Sequence, residues 1–261
     1  MTGEIKNANT VQYHIGLCKQ DLAGASMALL PGDPGRVQAL AETLGGTTQL
    51  LGFHREYKSV LARIDGHSML VMSTGMGGPS VAIGVEELAR LGVKKFIRVG
   101  TTGAIQPSIA LGDLIVNEAS VRLDGTSIHY APLPFPAVAD HELTGALLDA
   151  ACQLDIPCHL GIAASSDTFW PGQERYDSFT GYVPLQWRGS LAEWRALGVL
   201  NYEMETSALF TIARVMGLRA ASVCGVVAQR TETETVASRE IYELAEQRFQ
   251  SVLKRLVLNM F

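Results

Sequence analysis

Arg98 lies inside the run Phe96-Ile97-Arg98-Val99-Gly100-Thr101-Thr102-Gly103, which is apolar up to its glycine. An unpaired guanidinium in such a run is costly, so Arg98 needs an anion. Phosphate is one candidate, because the fork of an arginine matches its oxygens and the glycines admit backbone N–H groups close to it. A structural ion pair with a neighbouring carboxylate is the other, and the residues alone leave both open. A second anion cradle is spelled by Pro31-Gly32-Asp33-Pro34-Gly35-Arg36, a turn between an apolar strand and a helix start, with Arg36 adding charge. It lacks the G-K-[ST] of a triphosphate-binding loop, and an ordinary turn has the same spelling.

Two further stretches carry groups suited to an uncharged ligand. Ser165-Ser166-Asp167-Thr168-Phe169-Trp170-Pro171-Gly172-Gln173-Glu174-Arg175-Tyr176 combines aromatic rings, an amide and an arginine in a segment too polar and irregular for a core. Loops of this composition bind ligands, although a solvated surface loop is the simpler alternative. Asn201-Tyr202-Glu203-Met204-Glu205 places two acids at a helix start, where the macrodipole favours them structurally. Functionally, one such carboxylate can face the site and accept hydrogen bonds from sugar hydroxyls.

The elements that must position these groups follow from periodicity. Buried strands are predicted at 27–30, 96–99, 112–121, 159–164 and 220–228. Alternating runs at 60–64 and 69–72, joined by Asp65-Gly66, predict a hairpin. Helices are predicted over 37–44, 81–91, 140–154, 190–197, 206–216 and 238–260, with Pro79 in the first turn of the second. Strands alternating with helices indicate an α/β fold: one mixed β-sheet flanked by helices on both sides, in a single domain over 1–261.

Bulk properties narrow the function. A 261-residue chain with 47% hydrophobic content has ample core. The net charge of −5 disfavours nucleic acid as a partner, since phosphate-backbone binding needs a basic face. Cys18, Cys152, Cys158 and Cys224 have neither C-x-x-C spacing nor a histidine cluster nearby, so buried free thiols are expected. No apolar run reaches membrane-spanning length, and MTGEIKNANTVQYH lacks the apolar centre of a signal peptide, which sets the expectation of a cytoplasmic protein.

Taken in order, PGDPGR, STGMGGPS, RVGTTGAI, SSDTFWPGQERY, NYEMET and QRT resemble the nucleoside phosphorylase superfamily of the hexameric bacterial type, and within it the uridine-cleaving members. The resemblance runs from about His14 to Arg230. It implies that Gly32, Arg36, Arg98 and Thr101 hold phosphate, with Arg55 supplied by a neighbouring subunit. It further implies that Thr101, Met204 and Glu205 bind ribose, joined by His14 of the neighbour. Phe169 stacks on the base, and Gln173 and Arg175 read its edge, supported by Arg230; Thr102, Gly103 and Glu203 complete that set. The implied catalytic group is Arg98, Gln173, Arg175, Glu205 and Arg230. No catalytic cofactor is implied: inorganic phosphate is a co-substrate, and a structural monovalent cation, K+, is implied near Glu56, Met76 and Ser80 between subunits of a hexamer built as a trimer of dimers.

The implied reaction is reversible phosphorolysis of uridine to uracil and ribose 1-phosphate. Hexameric purine members carry a proton-donating Asp three residues before the position of Arg230, where this chain has Val227. Two departures lie around the base pocket: Gln229 replaces Asn before the Arg-Thr pair and is followed by TETETVAS in place of an Ile-Pro lid, and Trp170 stands where Tyr is expected. A broader pyrimidine (deoxy)nucleoside phosphorylase is the main alternative; a purine enzyme, a nucleosidase and a catalytically silent nucleoside sensor follow.

Overall fold

A computed structural model of the chain describes residues 7, 9–231 and 233–260. Most of the polar arm before residue 9, and Glu232 within TETETVAS, lie outside the described residues. The described elements in chain order are β1 (Met27–Pro31), α1 (Val37–Thr43), β2 (Thr47–His54), β3 (Tyr57–Ile64), β4 (His67–Met72), α2 (Gly78–Leu91), β5 (Lys95–Ala104) and β6 (Leu114–Leu123). They continue with β7 (Ala137–Val138), α3 (His141–Gln153), β8 (Cys158–Ser166), α4 (Ser190–Ala196), β9 (Asn201–Glu203), α5 (Thr206–Val215), β10 (Arg219–Arg230), β11 (Glu234–Val236) and α6 (Arg239–Met260).

All eleven strands join one sheet, in the order β11-β10-β6-β8-β9-β5-β1-β4-β3-β2, with β7 attached to β6. β10 also pairs directly with β5, in parallel, which closes β10-β6-β8-β9-β5 into a ring. β1, β4, β5 and β10 run parallel, and the antiparallel β3 and β2 extend the sheet beyond β4. The hairpin forms as expected: Asp65 and Gly66 take φ of +48° and +84°, the pair of left-handed residues that a two-residue turn matched to strand twist requires.

Alternation along the strands sorts side chains to two cores. Met27, Leu29, Ile97 and Val99 pack with α1, α3 and α6, whereas Ala28, Leu30 and Phe96 pack with α2 and α5. Helices therefore cover both faces of the mixed sheet, as the sequence predicts. Arg98 shares its face with Phe96, so it points toward the α5 side. The expectation of buried thiols holds for Cys224 alone; Cys18 and Cys158 are half-buried, Cys152 is exposed, and all four are free. Among the described residues, no helix is long and apolar enough to cross a membrane.

Candidate active site

A cavity of about 570 Å³ opens where the parallel strands β1, β5 and β10 end, the position at which open α/β sheets present their loops. Gly32, Arg36, Arg98 and Thr101 line it, as do Met204, Glu205, Thr102, Gly103, Phe169, Gln173, Arg175 and Glu203. The cavity thus gathers sequence-nominated residues that are as much as 173 positions apart in the chain. Met76 also lines it, while His14, Arg55, Glu56, Ser80 and Arg230 do not.

The carboxylate reading of Arg98 is realised. Its Nε donates to Glu203 at 2.9 Å and its Nη2 to Glu205 at 2.5 Å, all three side chains being buried. Burial pulls the guanidinium down, but the carboxylates of Glu205 and Glu203 outweigh it and hold Arg98 firmly charged. Nη1 is left over from this clamp for another anion. Gly100 makes room for the guanidinium itself: a Cβ there would stand 2.8 Å from Nη2 of Arg98.

Both acids of the Asn201-to-Glu205 motif line the cavity, where the residues alone suggested one and the resemblance implied both. The motif begins as strand β9, and Glu203 at its end accepts from the amides of Glu205 and Thr206 at 2.9 Å each and from the Ser165 hydroxyl. Glu205, at the start of α5, accepts from the Gly77 amide at 2.6 Å. Burial pushes the Glu205 carboxyl above the ordinary range; Arg98 opposes the rise and Glu203 adds to it. Cys224, which lies against Gly100, is also buried, and its thiol is pushed up to about 11, so it supplies no thiolate.

Arg36 sits at the first helical turn after Gly32, where Asp33 caps the turn by accepting from the Gly35 amide at 2.7 Å. Its Nε pairs with Glu246 at 2.6 Å, its Nη2 donates to the Tyr242 hydroxyl, and its carbon lies 5.5 Å from that ring's centre. Both partners come from α6. Sequence reading missed them because the contact spans 206 positions and α6 carries only an amphipathic pattern.

At the remaining wall, Arg175 lies 4.1 Å over the ring of Phe169 and pairs with Glu234 of β11. Arg230 stands one layer behind: its Nη2 donates to the Gln173 carbonyl at 2.8 Å and its Nε is 3.5 Å from Glu234. It therefore stands behind the cavity wall and does not line it. Val227 is the bulged residue where the β10–β5 register shifts between Val226 and Ala228, and it lines the cavity. Bulges re-aim side chains in this way beside active sites. Glu234 went unnoticed in the sequence because the alternation of TETETVAS is polar throughout its first five residues and marks no buried face.

His14 and Arg55 lie together elsewhere. Tyr13 packs edge-on to His14 at 4.9 Å and under Arg55 at 5.7 Å, and His14 Nδ1 is 2.6 Å from Glu87. Glu56 and Ser80 flank Gly75, where a Cβ would stand 3.0 and 3.2 Å from them.

A mixed sheet covered on both faces, with buried arginines and acids converging at its strand ends, defines a phosphorylase-type site, and this chain belongs to the phosphorylase superfamily, whose family model matches residues 26–258. Among its curated relatives, the uridine phosphorylase of Escherichia coli is 53% identical over 222 residues, 85% of this chain and 87% of that one. The same figures hold for the uridine phosphorylase of Salmonella typhimurium. The uridine phosphorylase of Haemophilus influenzae is 47% identical over 241 residues, 92% of this chain and 95% of that one.

Proposed function

We propose that this protein catalyses the reversible phosphorolysis of uridine, with phosphate as the attacking group and uracil as the leaving group. The observation that carries this reading is one cavity holding Arg36 and Arg98 together with Glu205 and the Phe169, Gln173 and Arg175 wall. The 53% identity to a uridine phosphorylase supports the same choice of substrate.

The chemistry uses these groups in sequence. Arg98 and Arg36, with Gly32 and Thr101, hold phosphate for attack on the sugar carbon. Glu205, Met204 and Thr101 hold the ribose as it gains oxocarbenium character. Gln173 has both a donor and an acceptor for the carbonyl-rich edge of uracil, and Arg175 stabilises the negative charge it takes up on leaving. Arg230 fixes Gln173 from behind. Val227 has no proton to give a purine, which favours a pyrimidine. No protein acid is required, because the departing base is stabilised as an anion.

Two arginines at the phosphate group face the three carboxylates Glu203, Glu205 and Glu246. A phosphate dianion needs a further cation there, and a neighbour's Arg55 would supply it. We therefore read 1–261 as one domain of a hexamer, a trimer of dimers, in which His14 and Arg55 complete the adjoining subunit's site. Glu56 and Ser80 both lie against Gly75, beside Met76 in the chain, and we assign a structural monovalent cation such as K+ to that junction on the family resemblance.

The test is a panel of uridine, thymidine and inosine with and without phosphate. Uridine is expected to give uracil and ribose 1-phosphate only when phosphate is present. Equal uracil release without phosphate would replace this reading with a nucleosidase, and preferred cleavage of thymidine or inosine would reassign the substrate.

A further inference from the structure

The base wall of the cavity is already occupied by the chain's own groups. Arg175 and Arg230 are both buried, at 6% and 5% exposure, and burial together with the neighbouring Arg175 pulls Arg230 below its ordinary value. Two guanidiniums set side by side in a dry wall require an anion. Glu234 provides it, pairing with Arg175 and lying 3.5 Å from Nε of Arg230. The same pairing lays Arg175 against Phe169, the face on which a base would stack. Among the described residues, Nε of Arg175 and Nη1 of Arg230 are buried with no hydrogen-bond partner, so the wall retains donors for a further ligand.

Glu234 differs from the arginines in where it can go. It sits on β11, exposed at each of its three residues and attached only to β10. Its carboxylate, 31% exposed while paired, can return to water at small desolvation cost, whereas the buried arginines cannot.

We infer that Glu234 is the resident counter-ion of the base subsite, a specificity-determining residue whose carboxylate competes with an anionic base for Arg175, with Arg230 adding its charge from behind the wall. Identification of the ligand as a base rests on the proposed phosphorolysis; the competition rests on the geometry of Glu234, Arg175, Arg230 and Phe169. Base entry is an exchange: the ligand takes the donors of Arg175 and the face of Phe169, and Glu234 moves with β11 toward solvent. Because the subsite retains one net positive charge when Glu234 is present and two when it is neutralised, an anionic base gains most from its removal.

The experiment is direct titration of the full chain with 5-nitrouracil, which is largely ionised at neutral pH, and with neutral uracil, comparing wild type, Glu234→Gln and, as a surface-charge control, Glu243→Gln. Glu234→Gln is expected to bind 5-nitrouracil about tenfold more tightly, with a smaller gain for uracil and unchanged phosphate affinity. Glu243→Gln should match wild type. Unchanged or weaker 5-nitrouracil binding in Glu234→Gln would overturn the competition, even if the wild type cleaves uridine with phosphate. Failure of every protein to bind either base would overturn both this inference and the base-site reading.

Discussion

Arg98 satisfies two carboxylates and, in the proposed reaction, also offers a donor to phosphate. Its removal therefore has two effects that separate by measurement. Arg98→Ala is expected to raise the phosphate KM on the order of 100-fold, as loss of a preorganised charged donor does. It also leaves Glu203 and Glu205 unpaired in a dry site, a destabilisation of about 3–5 kcal/mol that thermal unfolding would register. Arg175→Ala should do the reverse to the substrates: uridine turnover falls by about two orders of magnitude while phosphate affinity holds. A normal uridine rate in that variant would remove Arg175 from base recognition. Glu205, the proposed ribose-binding carboxylate, is expected to set the acid side of the pH dependence. Its carboxylate must be ionised to accept from ribose hydroxyls, and burial raises its pKa, so the acid limb of kcat/KM should lie above the ordinary carboxylate range and disappear in Glu205→Gln. The stability sign is opposite: the folded state binds this proton more tightly than the unfolded one, so the group's contribution falls as pH rises between the ordinary and raised values.

At the scale of elements, legibility tracked periodicity. β1, the β3–β4 hairpin and β10 announce themselves through alternating or continuous apolar residues, and the Asp65-Gly66 turn through its backbone demand. β9 and β11 are three residues each, and no alternation can be read over so short a span. Their places are fixed by partners, β9 between β8 and β5 and β11 against β10. The site divided similarly. Arg98 was legible because a charge in an apolar strand is physically anomalous, whereas the grip of Tyr242 and Glu246 on Arg36 depends on how α6 packs. His14 and Arg55 had no anomaly to reveal them and rested on family resemblance. One helix start tests the local rules independently. Asp140 caps α3 by accepting from the Leu143 amide at 3.0 Å and also pairs with Arg219 at 2.9 Å. Burial raises its pKa, but these hydrogen bonds outweigh it, leaving the carboxyl below its ordinary value. That stabilisation is present above the unfolded pKa and lost as pH falls through the lower folded value. Asp140→Ala should cost about 1 kcal/mol in urea unfolding at neutral pH, with the difference shrinking in acid.

For the whole molecule, the decisive question is whether a lone subunit can hold phosphate. The arginines at that group are outnumbered by acids, and His14 and Arg55 stand away from their own chain's cavity. Around the base loop, Phe179, Tyr182 and Leu185 are exposed, an apolar surface suited to burial against another subunit. Dilution until sedimentation shows monomers should therefore abolish uridine phosphorolysis while leaving the fold intact by circular dichroism. Full activity in monomers would remove both neighbour-derived residues from the site.

The closed ring also sets an order of events for a newly made chain. β5 and β10 pair from Lys95↔Arg219 to Ala104↔Gln229, so the ring closes only after nearly the whole sequence has been synthesised. Until then β5 presents an open edge on the side that β10 will take, and Arg98 lacks the Ser222 strand beside it. Contacts so distant in sequence are slow to form because a long loop must close before any of them is gained. The β10–β11 wall of the cavity is accordingly among the last features to appear as the chain leaves the ribosome, and a chain interrupted before residue 219 has the arginine of β5 but lacks the side formed by Val227, Ala228, Glu234 and Val236.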